Sequence, residues 1–183
     1  MQTFGSPHPH SSTLLVIDVQ ERLMPVIHES ESIKQQINRL IQGASILSLH
    51  TIITEQYPQG LGKTCADIMI SEQEPIIEKI SFSCMQCDDF MTRLSSQNSK
   101  DLIICGVETH ICVLKTALDA IKAGYNVFIV ADAVSSRAKE NKELALAHMR
   151  QMGAFIVSTE MVLFMMLQKA GSDTFKAISK LIK

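Results

Sequence analysis

The chain has 183 residues, 17 Lys and Arg against 19 Asp and Glu, and 46% hydrophobic residues. That length fits one domain with its own core, and a net charge of −2 leaves no electrostatic footprint for nucleic acid or an anionic membrane. The hydrophobic content excludes disorder, and no apolar run approaches the ~18 residues of a membrane span.

The first residues, MQTFGSPHPHSS (1–12), read as a flexible tail, with 13–183 as one domain. They lack the basic and apolar regions of a secretory signal, and the cysteine count is odd, so a cytoplasmic protein without a disulfide framework is expected. From Thr13 two kinds of segment alternate. Short apolar runs suit strands covered on both faces: LLVID (14–18), TIIT (51–54), PIIEK (75–79), DLIICG (101–106), NVFIV (126–130) and AFIV (154–157). Between them, Ile33, Ile37, Leu40, Ile41, Ala44 and Leu47 recur at helical spacing, with Ser32 and Gln35 as a capping box. Residues 55–74 are weakly patterned and suit an active-site loop with a short helix. Further helices are predicted over roughly 87–96, 110–123 and 140–152, the last two closed by Gly124 and Gly153, and over SDTFKAISKLIK (172–183). The Met-rich EMVLFMMLQ (160–168) suits core or a subunit interface. This alternation predicts an α/β fold, a parallel sheet with helices on both faces.

Ligands of such a sheet bind beyond the carboxyl ends of its strands, where three reactive side chains fall. Asp18 ends the first run, Lys79 the third, and Cys112 follows the fourth in GVETHICV (106–113). Gly106 permits a tight turn and Thr109 is a candidate N-cap. Cys112 then lies in the first helical turn, where amide N–H groups and the helix dipole favour a thiolate. Each residue has a plainer reading: Cys112 as an inert core thiol, Asp18 as a loop cap, Lys79 as a solvated strand end. Their convergence favours chemistry, with Asp18 as base and the Lys79 charge keeping both Asp18 and the thiolate ionised.

His110 is two positions from Cys112 and faces elsewhere on a helix. Lys115 reads as a surface residue and Cys105 as core. Cys84-Met-Gln-Cys87 is a CxxC, open to a redox role but without the further ligands zinc requires. GLGK (60–63) lacks phosphate-loop spacing, and no DxH, HxxH or HExxH cluster occurs, so neither metal nor cofactor is expected.

LLVIDVQ (14–20), EKISFS (78–83) and GVETHICVLKTALDA (106–120) resemble the three catalytic segments of the isochorismatase-like cysteine hydrolases. The likeness continues through GYNVFIVADAVSSR (124–137) and STEMVLF (158–164). TEQYPQGLG (54–62) and the C-terminal segment are similar to the isochorismatase domain-containing proteins. The resemblance implies a three-layer α-β-α fold with a six-stranded parallel sheet in order 3-2-1-4-5-6. It implies a catalytic triad of Asp18, Lys79 and Cys112. It further implies a cis peptide at Val107–Glu108 that aims the Glu108 N–H, beside the Cys112 N–H, at a developing oxyanion. Gln56 would contact substrate, and Phe82 would form a pocket wall or pack in the core. Nicotinamidases of the superfamily bind a metal through an Asp and two His near the second strand, where this chain has no His.

Retention of Cys112 favours hydrolysis of a small amide-like C–N bond through a thioester. The alternatives are an isochorismatase-type vinyl-ether hydrolase, with Cys112 a bystander, and a non-catalytic interaction protein. The expected partners are a small-molecule substrate and further copies of the chain, with 160–182 as a candidate interface, and neither nucleic acid nor membrane. An activated Cys112 would be alkylated well below about pH 8.

Overall fold

Six short strands alternate with helices, and each strand lies parallel to its neighbours. The computed structural model describes residues 5–71, 74 and 76–183. Pro75, read as opening the third strand, and residues 1–4 of the tail lie outside the described residues, as do 72 and 73 of the long loop.

The strands are β1 (Ser12–Ile17), β2 (His50–Gln56), β3 (Ile76–Lys79), β4 (Asp101–Val107), β5 (Asn126–Ser135) and β6 (Phe155–Val157). The helices are α1 (Ser30–Leu47), α2 (Pro58–Leu61), α3 (Asp88–Ser95), α4 (Leu114–Lys122), α5 (Lys139–Gln151), α6 (Thr159–Met165) and α7 (Asp173–Ile182). The sheet order is β3-β2-β1-β4-β5-β6, parallel throughout, as the resemblance implies.

Unbroken apolar runs suit this sheet because helices cover both faces. Leu14 and Val16 of β1 join one core with α1, α6 and α7, and Leu15 and Ile17 join the other with α3, α4 and α5. The close of α4 is a Schellman pair, with Tyr125 N–H on the Ala120 carbonyl and Gly124 N–H on Ile121, both 3.0 Å.

The structure corrects several local expectations. α1 starts at Ser30 behind Glu29, without a side-chain cap, so Ser32 lies inside the helix and forms no capping box. β5 runs past the apolar stretch because Asp132 finds partners, accepting from the Thr159 N–H at 2.8 Å and hydroxyl at 3.1 Å. Most of the Met-rich run folds as α6, capped by Ser158, whose hydroxyl accepts the Met161 N–H at 3.2 Å, and Val162, Leu163 and Met166 are buried in the core, as expected. Ahead of β1, the His8 N–H and Ser11 hydroxyl bond to the Asp101 carboxylate at 3.1 and 3.3 Å. Among the described residues no helix is long and apolar enough to cross a membrane.

Candidate active site

The carboxyl end of the sheet holds an ion pair out of reach of solvent. Asp18 leaves β1 in the left-handed region at φ 55°, and its N–H bonds the Thr54 carbonyl at 3.1 Å. Its Oδ2 lies 2.7 Å from Lys79 Nζ at the end of β3, and both side chains are 0% exposed. Lys79 is therefore not a solvated strand end. Buried charges persist when they are paired and their remaining hydrogen-bonding capacity is used. Thr54 Oγ1 donates to Asp18 Oδ1 at 2.7 Å, and Lys79 Nζ also donates to Gln56 Oε1 at 2.7 Å and to the Ser81 carbonyl at 3.4 Å. Burial alone would pull the Lys79 ammonium down. The Asp18 charge, with Cys84 and Cys112 nearby, reverses that and leaves its pKa raised.

The third group comes from the turn after β4, which departs from the expected helix start. Thr109–Val113 is a turn of π-helix with Glu108 at its N-cap. The Glu108 carbonyl accepts from Ile111 at 3.0 Å and Val113 at 3.3 Å, the amides on either side of Cys112. Among the described residues the buried Thr109 hydroxyl has no partner, so the cap expected of it is not made. The Val107–Glu108 peptide is cis. Gly106 lies inside β4 rather than at a turn. At φ 110°, a side chain there would fall on the Ile17 backbone, so its role is the close approach of β4 to β1.

Cys112 is 7% exposed and stands within the fields of both charges of the pair. Burial is the largest cause of an upward shift of its thiol; Asp18 adds to the shift and Lys79 opposes it. This overturns the expected resting thiolate. Burial favours the neutral thiol, and the group beside it is the Asp18 carboxyl paired with Lys79. Alkylation well below about pH 8 is no longer the mark of this cysteine.

Around this centre, Arg137 donates its N–H at 3.0 Å and its Nε–H at 3.1 Å to the Glu108 carboxylate. His110 Nδ1 shares a hydrogen bond with Ser136 Oγ at 2.9 Å, turned to the end of β5, and Lys115 is exposed. Gln56 has both ends of its amide engaged within the protein: Oε1 with Lys79, and Nε2 with the Ile80 carbonyl at 2.7 Å. Phe82 is 54% exposed, so it is not core. The cleft beside Lys79, about 410 Å³, is lined by Tyr57, Pro58, Glu78, Ile80 and Ser81 among others.

The CxxC does not form a disulfide, and all five cysteines are unpaired. Cys84 is fully buried beneath the ion pair, its N–H bonded to Thr116 Oγ1 at 3.0 Å, and burial pushes its thiol up to about 12. Cys87 Sγ lies 3.8 Å from the Glu78 carbonyl. No group of three or more His, Cys, Asp or Glu side chains suited to a metal ion occurs among the described residues. Sequence reasoning passed over Thr54. The signal available was a pair of polar residues, Thr54 and Gln56, two apart at the end of an apolar strand.

The isochorismatase domain model matches residues 12–161 of the chain. The secreted isochorismatase effector Isc1 of Phytophthora sojae (strain P6497) is 38% identical over 181 residues, which cover 96% of this chain and 86% of that protein. Isochorismatase domain-containing protein 2 of Danio rerio is 37% identical over 182 residues, with 100% of this chain and 92% of the relative covered. Among solved structures, the MAR1 ribonuclease of Caenorhabditis elegans superposes with a TM-score of 0.89 at 37% identity, over 96% of this chain and 91% of that one.

Proposed function

The chain belongs to the isochorismatase-like hydrolase family, in the branch of the isochorismatase domain-containing proteins, and on that premise we propose that it is a cysteine hydrolase of a small amide-like substrate. The observation that carries this reading is the buried Asp18–Lys79 pair with the Cys112 thiol, its pKa raised by burial, beside it.

A thiol that keeps its proton at rest needs a base at the moment of attack. Asp18 takes the proton from Cys112 as sulfur bonds to the substrate carbonyl carbon, and Lys79 holds the carboxylate in place. The carbonyl electrons move onto oxygen, which the Glu108 and Cys112 N–H groups stabilise. Collapse of this intermediate breaks the C–N bond, and Asp18 returns the proton to the leaving amine. Asp18 then takes a proton from water as its oxygen attacks the thioester carbonyl. The C–S bond breaks, the acid leaves, and the sulfur recovers its proton.

The raised thiol equally suits the vinyl-ether alternative, in which Asp18 protonates the substrate and Cys112 does not react. A screen over small amides, carbamoyl compounds, nicotinamide and isochorismate, run with Cys112→Ala and Asp18→Ala, separates the two. The thioester route requires both variants to lose turnover. Turnover retained in Cys112→Ala and lost in Asp18→Ala points to the alternative, and binding without turnover on any compound points to an interaction protein.

The ribonuclease name of the nematode structure does not carry over in this reading, because a net charge of −2 gives the chain no overall attraction for RNA. Five unpaired cysteines fit a reducing, cytoplasmic setting. A homo-oligomer fits the apolar surface at the end of β3, where Tyr57, Ile80 and Phe82 are 53%, 82% and 54% exposed. Light scattering in solution tests it.

A further inference from the structure

An ammonium has three hydrogens and needs three acceptors, whereas a neutral amine has two and a lone pair that seeks a donor. Lys79 Nζ meets three acceptors: Asp18 Oδ2, Gln56 Oε1 and the Ser81 carbonyl. The Asp18 carboxylate accepts from Lys79 on Oδ2 and from the Thr54 hydroxyl on Oδ1, with the Cys112 thiol also within hydrogen-bonding reach of it. Thr54 and Gln56 are two apart on β2, Thr54 paired with Ile17 and Ile77 and Gln56 with Lys79, so their side chains leave the same face at fixed height.

The polarity of each contact is also fixed. A threonine hydroxyl has one hydrogen, and here it points at the carboxylate. The Gln56 amide cannot be reversed, because its Nε2 donates to the Ile80 carbonyl at 2.7 Å, which turns Oε1 to Lys79. The Gln56 backbone is clamped in turn: Gln20 Oε1 accepts its N–H at 2.8 Å, and Gln20 Nε2 donates to its carbonyl at 3.0 Å. The titratable groups facing the pair from other elements are Cys112 of the π turn and Cys84 of the short turn Cys84–Gln86, both pushed toward the neutral thiol by burial. Both couple to the pair, and the direct hydrogen bonds to the Asp18 carboxylate and the Lys79 ammonium from β2 are those of Thr54 and Gln56.

We propose that Thr54 and Gln56 are positioning residues that fix where the protons of the pair reside, Thr54 supporting the Asp18 anion and Gln56 the Lys79 cation. In this way Asp18 stays unprotonated and ready to accept the Cys112 proton. This last step rests on the hydrolase reading above; the proton distribution does not.

The test is NMR on the isotopically labelled full chain, with no substrate present. Thr54→Val keeps the shape and removes the hydroxyl. The titration midpoint read at the Asp18 carboxyl carbon should rise by about one pH unit, and Thr54→Ser should restore it. Gln56→Met removes the acceptor, and exchange of the Lys79 ammonium protons with water at pH 7 should quicken about tenfold. An unmoved Asp18 midpoint in folded Thr54→Val, or unchanged Lys79 exchange in Gln56→Met, overturns the proposal for that residue. If Thr54→Val does not fold, Thr54→Ser must match the wild-type midpoint and the Gln56→Met result decides. Since no turnover is read, these outcomes stand apart from the fate of the thioester mechanism.

Discussion

The two halves of the candidate site are built by opposite means. The Asp18–Lys79 pair sits on strand ends, with register fixed by β2 between them and hydrogen-bonding partners on every side. Cys112 sits on a π-helical turn, in a largely apolar setting that keeps it neutral. The charged half has to be rigid, because a buried charge without its partner is costly. The thiol half can be altered with little structural consequence, because a neutral sulfur asks little of its surroundings. Stability should therefore depend far more on the pair than on the thiol, although turnover needs both.

The largest expected effect follows from separating the pair. Lys79→Met leaves the Asp18 carboxylate buried without its counter-ion and should cost about 3–5 kcal/mol in urea unfolding. Cys112→Ala should cost about 1 kcal/mol and still abolish turnover. Comparable losses of stability in the two variants would remove the contrast. Next comes Gly106→Ala, whose added carbon meets the Ile17 backbone at a φ that disfavours side chains. It should cost more than about 2 kcal/mol and disturb both halves, because β4 carries the thiol turn and β1 carries Asp18.

The pH dependence is a gentler probe. Lys79 titrates higher in the folded protein than its ordinary 10.5, so the stability it contributes is full below that value and is lost as pH rises through the folded pKa. Cys84 and Cys112 titrate above their ordinary 9.0, so the unfolded chain releases their protons first and gains on the folded state as pH rises past 9.0. Both signs agree. The unfolding midpoint should hold steady across neutral pH and fall above about pH 9, and Cys112 alkylation by iodoacetamide should still be climbing there. A labelling plateau below about pH 8 would restore the resting thiolate. The smallest effect is expected at Arg137, 60% exposed at its side chain. Arg137→Ala should shift stability by less than about 1 kcal/mol, since its backbone N–H is still present to bond Glu108.

The same division explains what could be read from the chain. Strand residues reveal themselves through short apolar runs, so the sheet, both cores and the positions of Asp18 and Lys79 were legible. The Cys112 turn was legible only as a place. Its π geometry and the Thr109 hydroxyl, without a partner among the described residues, belong to a turn packed on β4 and α5, which spacing does not encode. Ser32 and Gln35 match a capping box in letters, yet the chain entering α1 turns at Glu29 and starts the helix earlier. Gln56 was assigned to substrate through the family resemblance; its contact with Lys79 required β3 beside β2. Thr54 looked like one more β-former. The thiol's neutrality came from burial, a property of the assembled core, outweighing the nearby ammonium.

The central claim is that Cys112 sulfur becomes covalently bound to substrate. Intact-protein mass spectrometry of acid-quenched reactions, on whichever compound of the screen is turned over, tests it most directly. The account predicts an added mass equal to the acyl group, located on the peptide carrying Cys112 and lost in Cys112→Ala. Turnover with no adduct on that peptide under rapid quench, and with Cys112→Ala still active, would contradict it.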